Sequence, residues 1–138
     1  MSSEEDALLA DPRLAKAINL FNSGDWHACH DCFEELWHET AGPLRPALQG
    51  ILQIAVSQLH RQRDNLRGAT ILMGEGLGRL KSCDAVVLGL DVSALRIAAA
   101  RHLEVLQQQS STDANALPPL RLNRIAVGDE PIQGVGDL

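Results

Sequence analysis

Between Arg45 and Arg63, Leu48, Ile51, Leu52, Ile54, Ala55, Val56 and Leu59 cover most of the circumference of a helix. A helix that is apolar nearly all round has to be enclosed by other elements. That segment therefore asks for a bundle with itself at the centre, and the rest of the chain must supply the walls.

The walls can be read from capping residues and apolar spacing. Asp11-Pro12 offers an N-cap followed by proline at the first helical position, Leu14, Ala17, Ile18 and Phe21 recur at helical spacing, and Gly24 ends the segment. Asp25 can cap a second helix to about Thr40, closed by Gly42-Pro43. The central helix follows, Asp64-Asn65 punctuates, and a fourth helix covers 66–82. Asp91 can cap a fifth, running from Val92 to about Gln109. Val86-Val87-Leu88-Gly89-Leu90 is a short apolar run with no second strand candidate nearby, so it reads as a buried connector.

Residues 1–10 read as a loose acidic start and 110–116 as a polar break. Pro118-Pro119 then favours extended backbone. The tail from 117 to 138 still carries Leu120, Leu122, Ile125, Val127 and Ile132, more apolar residues than a solvated tail needs. The expectation is an arm lying against the bundle or against a neighbouring subunit, the latter making a homo-oligomer. The architecture expected over 1–138 is one all-α domain. It is an antiparallel bundle of about five helices over 11–109, with a linker and extended C-terminal arm over 110–138.

A chain of 138 residues suffices for one self-standing core. It has no Tyr, two Phe and two Trp, so aliphatic residues must fill that core and each Trp is an anchor. A net charge of −6 and the lack of any Lys/Arg cluster argue against nucleic acid or an anionic membrane surface as partner. No apolar run approaches the roughly 18 residues of a membrane span. Three Cys, two of them inside a predicted helix, and an acidic start without a signal-like apolar core suggest free thiols and a cytoplasmic location.

The stretch Trp26 to His38 holds both Trp, three of five His and two of three Cys. On a helical wheel with His30 at zero, Trp26, Cys29, Phe33, Leu36 and Trp37 fall in an arc from roughly −120° to −20°. His30 and Glu34 sit at the edge of that arc, His27, His38 and Asp31 lie further round, and Glu35 and Glu39 face away. On the central helix, Gln49, Gln53 and His60 align within about 40° of one another. Such a polar stripe destabilises by roughly 1 to 3 kcal/mol per stranded group unless it finds partners. The short Gly42-Pro43 link makes the two helices antiparallel neighbours. The simplest arrangement sets His30 and Glu34, with Trp37 beside them, against Gln49, Gln53 and His60.

Two functions stand out for such a pocket, with a metal-free small-molecule or acid-base site as a lesser alternative. One is a hydrogen-bonded network that fixes helix register and serves binding or interaction, with a small-molecule ligand left unspecified; this is the favoured reading. The other is a metal site in which His30 and Glu34, spaced i, i+4, grip one ion with His60 as third ligand. Zn or Fe would suit that set, bound water would supply a hydrolytic nucleophile, and Gln49 and Gln53 would orient ligands or substrate.

Other features weigh less. Cys29-His30-Asp31-Cys32 has CxxC spacing but neither a βαβ context nor a helix start. His102, within the Leu95, Ala99 and Leu106 stripe, reads as a core histidine. Gly74, Gly76 and Gly78 lie inside a helix and form no phosphate loop. Close packing is expected at Gly68, with local weakening at the later glycines. Ser57 has no base at useful spacing.

Phe21-Asn22-Ser23-Gly24-Asp25-Trp26, His30-Asp31-Cys32-Phe33-Glu34-Glu35-Leu36-Trp37, Leu48-Gln49-Gly50-Ile51-Leu52-Gln53, His60 and Asn65-Leu66-Arg67-Gly68-Ala69 together resemble the bacterial and archaeal domain-of-unknown-function family 309. The resemblance covers about residues 18–82. Asp31 stands where the family usually carries Glu, and Cys29 replaces its small Ala. The resemblance implies a compact all-helical fold and no particular activity.

Overall fold

The computed structural model describes residues 3–108 and 117–125. Its elements are α1 (Ser3–Ala10), α2 (Pro12–Ser23), α3 (Trp26–Glu39), α4 (Arg45–Gln62), α5 (Leu66–Leu80), β1 (Val86–Val87), β2 (Leu90–Asp91) and α6 (Val92–Gln107). Helices dominate, and each helix packs on the next in sequence, with α4 between α3 and α5. No helix of the described residues is long and apolar enough to cross a membrane.

Local chemistry sets most boundaries. The Asp11 carboxylate accepts from the Arg13 backbone N–H at 2.9 Å, and Gly24 closes α2 with φ of 76°. Asn65 and Asp91 cap α5 and α6 by accepting from the Gly68 and Ala94 N–H groups. Asp25 precedes α3 but makes no side-chain cap. Leu14, Ile18, Phe21, Phe33, Leu48 and Ile51 are buried where these helices meet. Both thiols of the CxxC segment face α2, with Cys29 Sγ donating to Ala17 O and Cys32 Sγ to Arg13 O. Burial pushes the Cys29 thiol up to about 12, far from the thiolate that redox chemistry needs.

Two segments differ from the sequence-based expectation. The acidic start is the helix α1, not a loose end. Its Leu8 is buried, and the Glu4 carboxylate accepts from Gly42 N at 2.7 Å and Leu44 N at 3.3 Å. Those partners lie about forty positions away, so no local pattern announces them. The run 86–90 is a tight hairpin rather than a plain connector. Val86 pairs with Asp91 and Val87 with Leu90 around Leu88 and Gly89, both in the left-handed region at φ of 54° and 71°. Its second strand was hidden because the turn sits inside the same apolar run.

The glycines of α5 also sort differently. A Cβ on Gly76 would lie 2.8 Å from the Gly50 carbonyl oxygen and 3.0 Å from Ile54, so this glycine makes the close α4–α5 crossing. Gly68 instead leaves room for its own cap, since a Cβ there would lie 2.6 Å from Asn65 Nδ2. Ser57, fully buried, donates to Ala69 O at 2.6 Å and ties the same two helices.

After α6, residues 117–125 lie against the bundle, with Leu117, Leu120 and Leu122 buried. The remainder of the expected arm, 126–138, and the linker 109–116 lie outside the described residues. The Asn22 side-chain amide grips Leu122 on both sides, Nδ2 donating to Leu122 O at 2.9 Å and Oδ1 accepting from Leu122 N at 2.7 Å. Asn22→Ala would strand both backbone groups of a buried residue. We expect a loss of about 2 kcal/mol or more, read as a lower urea midpoint; an unchanged midpoint would contradict this clamp.

His102 is the other clamp. Its Nε2–H donates to Pro118 O at 2.8 Å, while Nδ1 is buried without a partner. Burial holds the imidazole below its ordinary range, and the Arg61 charge adds to this, outweighing the opposing bond to Pro118. The folded state thus favours neutral His102, whereas the unfolded chain takes up a proton near pH 6.5. Stability contributed by neutral His102 is present above that pH and lost as pH falls through the folded-state value. Melting temperature should drop between pH 7.5 and pH 5.5, and drop less in His102→Gln, which keeps a donor for Pro118. Equal slopes in both proteins would refute the assignment.

Candidate functional site

The site is best built from α4 outward. Gln49, Gln53, Val56 and His60 lie along its outer face and are all half-buried, because α3 and α5 flank that face without covering it. On α3, the helix packed beside this shallow trough, His30, Glu34 and Trp37 occupy three positions within about 60° on the wheel. The α5 side carries Glu75 and Arg79, one helical turn apart.

Exposure grades the α3 residues as the wheel did. The His30 side chain is 29% exposed and Glu34 43%, against 61% for Asp31 and 67% for His27. His30 Nδ1 lies 3.0 Å from Asp31 Oδ1, and His30 Nε2 lies 3.7 Å from Glu34 Oε2, beyond a hydrogen bond. The Arg45 guanidinium lies 4.2 Å from the Trp37 ring centroid, and the His38 ring is tilted by 48° to the indole with centroids 4.8 Å apart. Arg45 is itself anchored on the Trp37 and Thr40 carbonyls. The Trp37 Nε1–H is buried and has no acceptor among the described residues.

The polar stripe of α4 does not meet His30 and Glu34 as expected. The Gln53 amide is spent on α5, donating to Glu75 Oε1 at 3.1 Å and accepting from Arg79 Nε at 2.9 Å. His60 Nδ1 accepts from Asn65 Nδ2 at 3.1 Å, joining the cap of α5. Gln49 makes no side-chain hydrogen bond among the described residues. One cleft takes in Glu75 and Arg79 together with Pro46, Gly78 and Ser82, outside the six positions His30, Glu34, Trp37, Gln49, Gln53 and His60.

Axial position explains the separation of His60. Glu34 lies one and a half turns before the end of α3, whereas His60 lies more than four turns into α4. With a rise of 1.5 Å per residue, antiparallel helices place them about 15 Å apart along the bundle, and His30 about 9 Å from His60. The His30–Glu34–His60 set expected to hold Zn or Fe is therefore not gathered around one point. Among the described residues no three His, Cys, Asp or Glu side chains are placed to hold a metal ion.

Sequence reasoning missed three residues here. Arg45 looked like a helix start, yet its charge caps the Trp37 ring. Glu75 and Arg79 carried a signal, their i, i+4 spacing on the predicted fourth helix, but nothing local pointed it at Gln53.

The fold is an all-α bundle with a half-buried polar face on α4. The family model described as a domain of unknown function (DUF309) matches residues 14–72, which take in α2, α3, α4 and the first half of α5. The match spans under half of the chain, and over that segment the chain is similar to this family. No curated protein sequence matches the chain.

Proposed function

We propose that the protein is a binding module, and that the trough on α4 takes a polar ligand carrying amide groups. The observation behind this reading is the buried Trp37 indole N–H without an acceptor. A buried donor left unpaired costs about 1 to 3 kcal/mol, and a ligand carbonyl would recover it. Gln49 has both amide functions unspent, and Glu34 accepts no hydrogen bond within normal range. An amide ligand supplies the complement, a carbonyl for Trp37 and an N–H for Glu34. Arg45 packs over the indole ring, and the Nε1–H, closed to solvent in the unliganded chain, becomes available to a ligand carbonyl once the side chain covering it moves.

In a Trp26→Phe background Trp37 gives the only indole N–H signal in a nitrogen-15 NMR spectrum. Titration with N-acetylated amino-acid amides should shift that signal saturably, and Gln49→Leu should weaken the response about tenfold. A Trp37 signal that stays still throughout the series would rule out this site as the ligand face.

A further inference from the structure

Arg45 carries a charge that nothing around it neutralises. Arg13 is bound to Asp11, Glu35 and Glu39, and Arg101 pairs with Glu104. Arg45 is half-buried in a chain of net charge −6, yet it has no carboxylate partner among the described residues. Its Nη1 donates to the Trp37 and Thr40 carbonyls at 2.9 and 3.0 Å, and the guanidinium stands 4.2 Å from the Trp37 ring centroid. Those contacts hold the group in place and use one nitrogen of the three. Nε and Nη2, the fork edge that matches the two oxygens of a carboxylate, have no partner among the described residues. Anchoring α3 explains Nη1 and leaves both the edge and the charge over.

The neighbours of Arg45 are uncommitted donors as well. Arg45, Gln49 and Gln53 follow one another at i, i+4 and i+8, so Arg45 heads the polar stripe of α4. Gln49 lies one turn on, with about 6 Å between Cβ atoms, and its amide is unspent. The indole that Arg45 covers carries the Nε1–H without an acceptor. Glu34, one turn before Trp37 on α3, is the acceptor nearby. On the binding role already proposed for the trough, we infer that its ligand is an N-acylated amino-acid carboxylate, the group shared by peptide C-termini and free N-acyl amino acids. The carboxylate takes the Arg45 fork, and one of its oxygens also accepts the Trp37 N–H. The adjacent amide N–H donates to Glu34, and the acyl oxygen accepts from the Gln49 amide. The amide part is the chemistry assigned to the trough above; the negative charge is what Arg45 adds.

The test compares N-acetylglycine with N-acetylglycinamide, which differ only at the carboxylate, through the Trp37 indole signal of the full chain in the Trp26→Phe background. N-acetylglycine should bind at least tenfold more tightly, and added sodium chloride should weaken it more than the amide. Equal affinity, or tighter binding of the amide, overturns the carboxylate assignment and leaves the binding role intact; a signal that neither ligand moves overturns both. Arg45→Gln should erase the preference while the amide still binds, and a preference that survives in this variant overturns the assignment to Arg45. If Arg45→Gln does not fold, the arginine Nε–H signals of the Trp26→Phe chain decide. One of them should shift together with Trp37 on adding N-acetylglycine and stay still with the amide; no such signal overturns the proposal. N-acetyltriglycine separates the two sources: binding as tight as that of N-acetylglycine assigns the site to peptide ends, and much weaker binding to free N-acyl amino acids, either of which upholds the carboxylate.

Discussion

Gly76→Ala is expected to lower stability by about 2 kcal/mol or more, even after the roughly 1 kcal/mol that alanine gains over glycine inside a helix. The new Cβ would lie 2.8 Å from the Gly50 carbonyl oxygen, and backbone cannot step aside as a flexible side chain can. To make room, α4 and α5 must separate, and Ser57 loses its 2.6 Å bond to Ala69 O as they do. Gly78→Ala is the control. It stands on the same helix with nothing within 4 Å of its added Cβ, so only the propensity gain remains and the variant should be more stable than the parent by about 0.5 to 1 kcal/mol. Urea denaturation of the two variants should move the midpoint in opposite directions. If both moved upward, the close crossing of α4 and α5 would be absent in solution.

Phe21→Ala should cost about 3 to 5 kcal/mol, the usual penalty for emptying a fully buried phenylalanine site. Phe21 is 0% exposed and meets Trp26 edge to face, with ring centroids 5.1 Å apart at 89°. That pair joins the last turn of α2 to the first turn of α3, so its loss frees the start of the helix that carries His30, Glu34 and Trp37. The expected signature is twofold: a lower urea midpoint and a loss of near-ultraviolet circular dichroism from Trp26. A normal near-ultraviolet spectrum in the folded variant would mean that Trp26 is held by other contacts.

The two variants differ in how well sequence alone foretells them. Phe21 announces its burial by spacing with Leu14, Ala17 and Ile18, and a wheel suffices. Gly76 does not, because it was one of four glycines on one helix and only the neighbour's position separates them. Asn22 shows the same limit more sharply. Its spacing marks it as a polar residue near a helix end, yet its partner is Leu122, one hundred positions away.

For the candidate site the division falls between angle and height. A helical wheel placed His30 and Glu34 at the border of the core and put Gln49, Gln53 and His60 on one stripe, and the exposures agree with both. A wheel discards position along the axis, so it grouped His60 with residues that stand about 9 to 15 Å away from it. It also could not tell which neighbour the stripe would meet. Gln53 turned to Glu75 and Arg79 on α5, a pairing that depends on how far the two helices slide past each other at the Gly50–Gly76 crossing.

What the amino-acid order determined by itself was the helical class, the bounds of the five helices from Pro12 onward, the enclosed position of α4 and the border status of His30 and Glu34. Each follows from periodicity and capping within one segment, where the interacting groups are a turn or two apart. Only the tertiary structure decided that the acidic start is a helix held by Glu4, that Asn22 and His102 clamp the arm, and that Gln53 turns to Glu75 and Arg79 on α5. Those outcomes depend on relative height and on partners remote in sequence, and the free energy that selects them arises only when the helices are packed together.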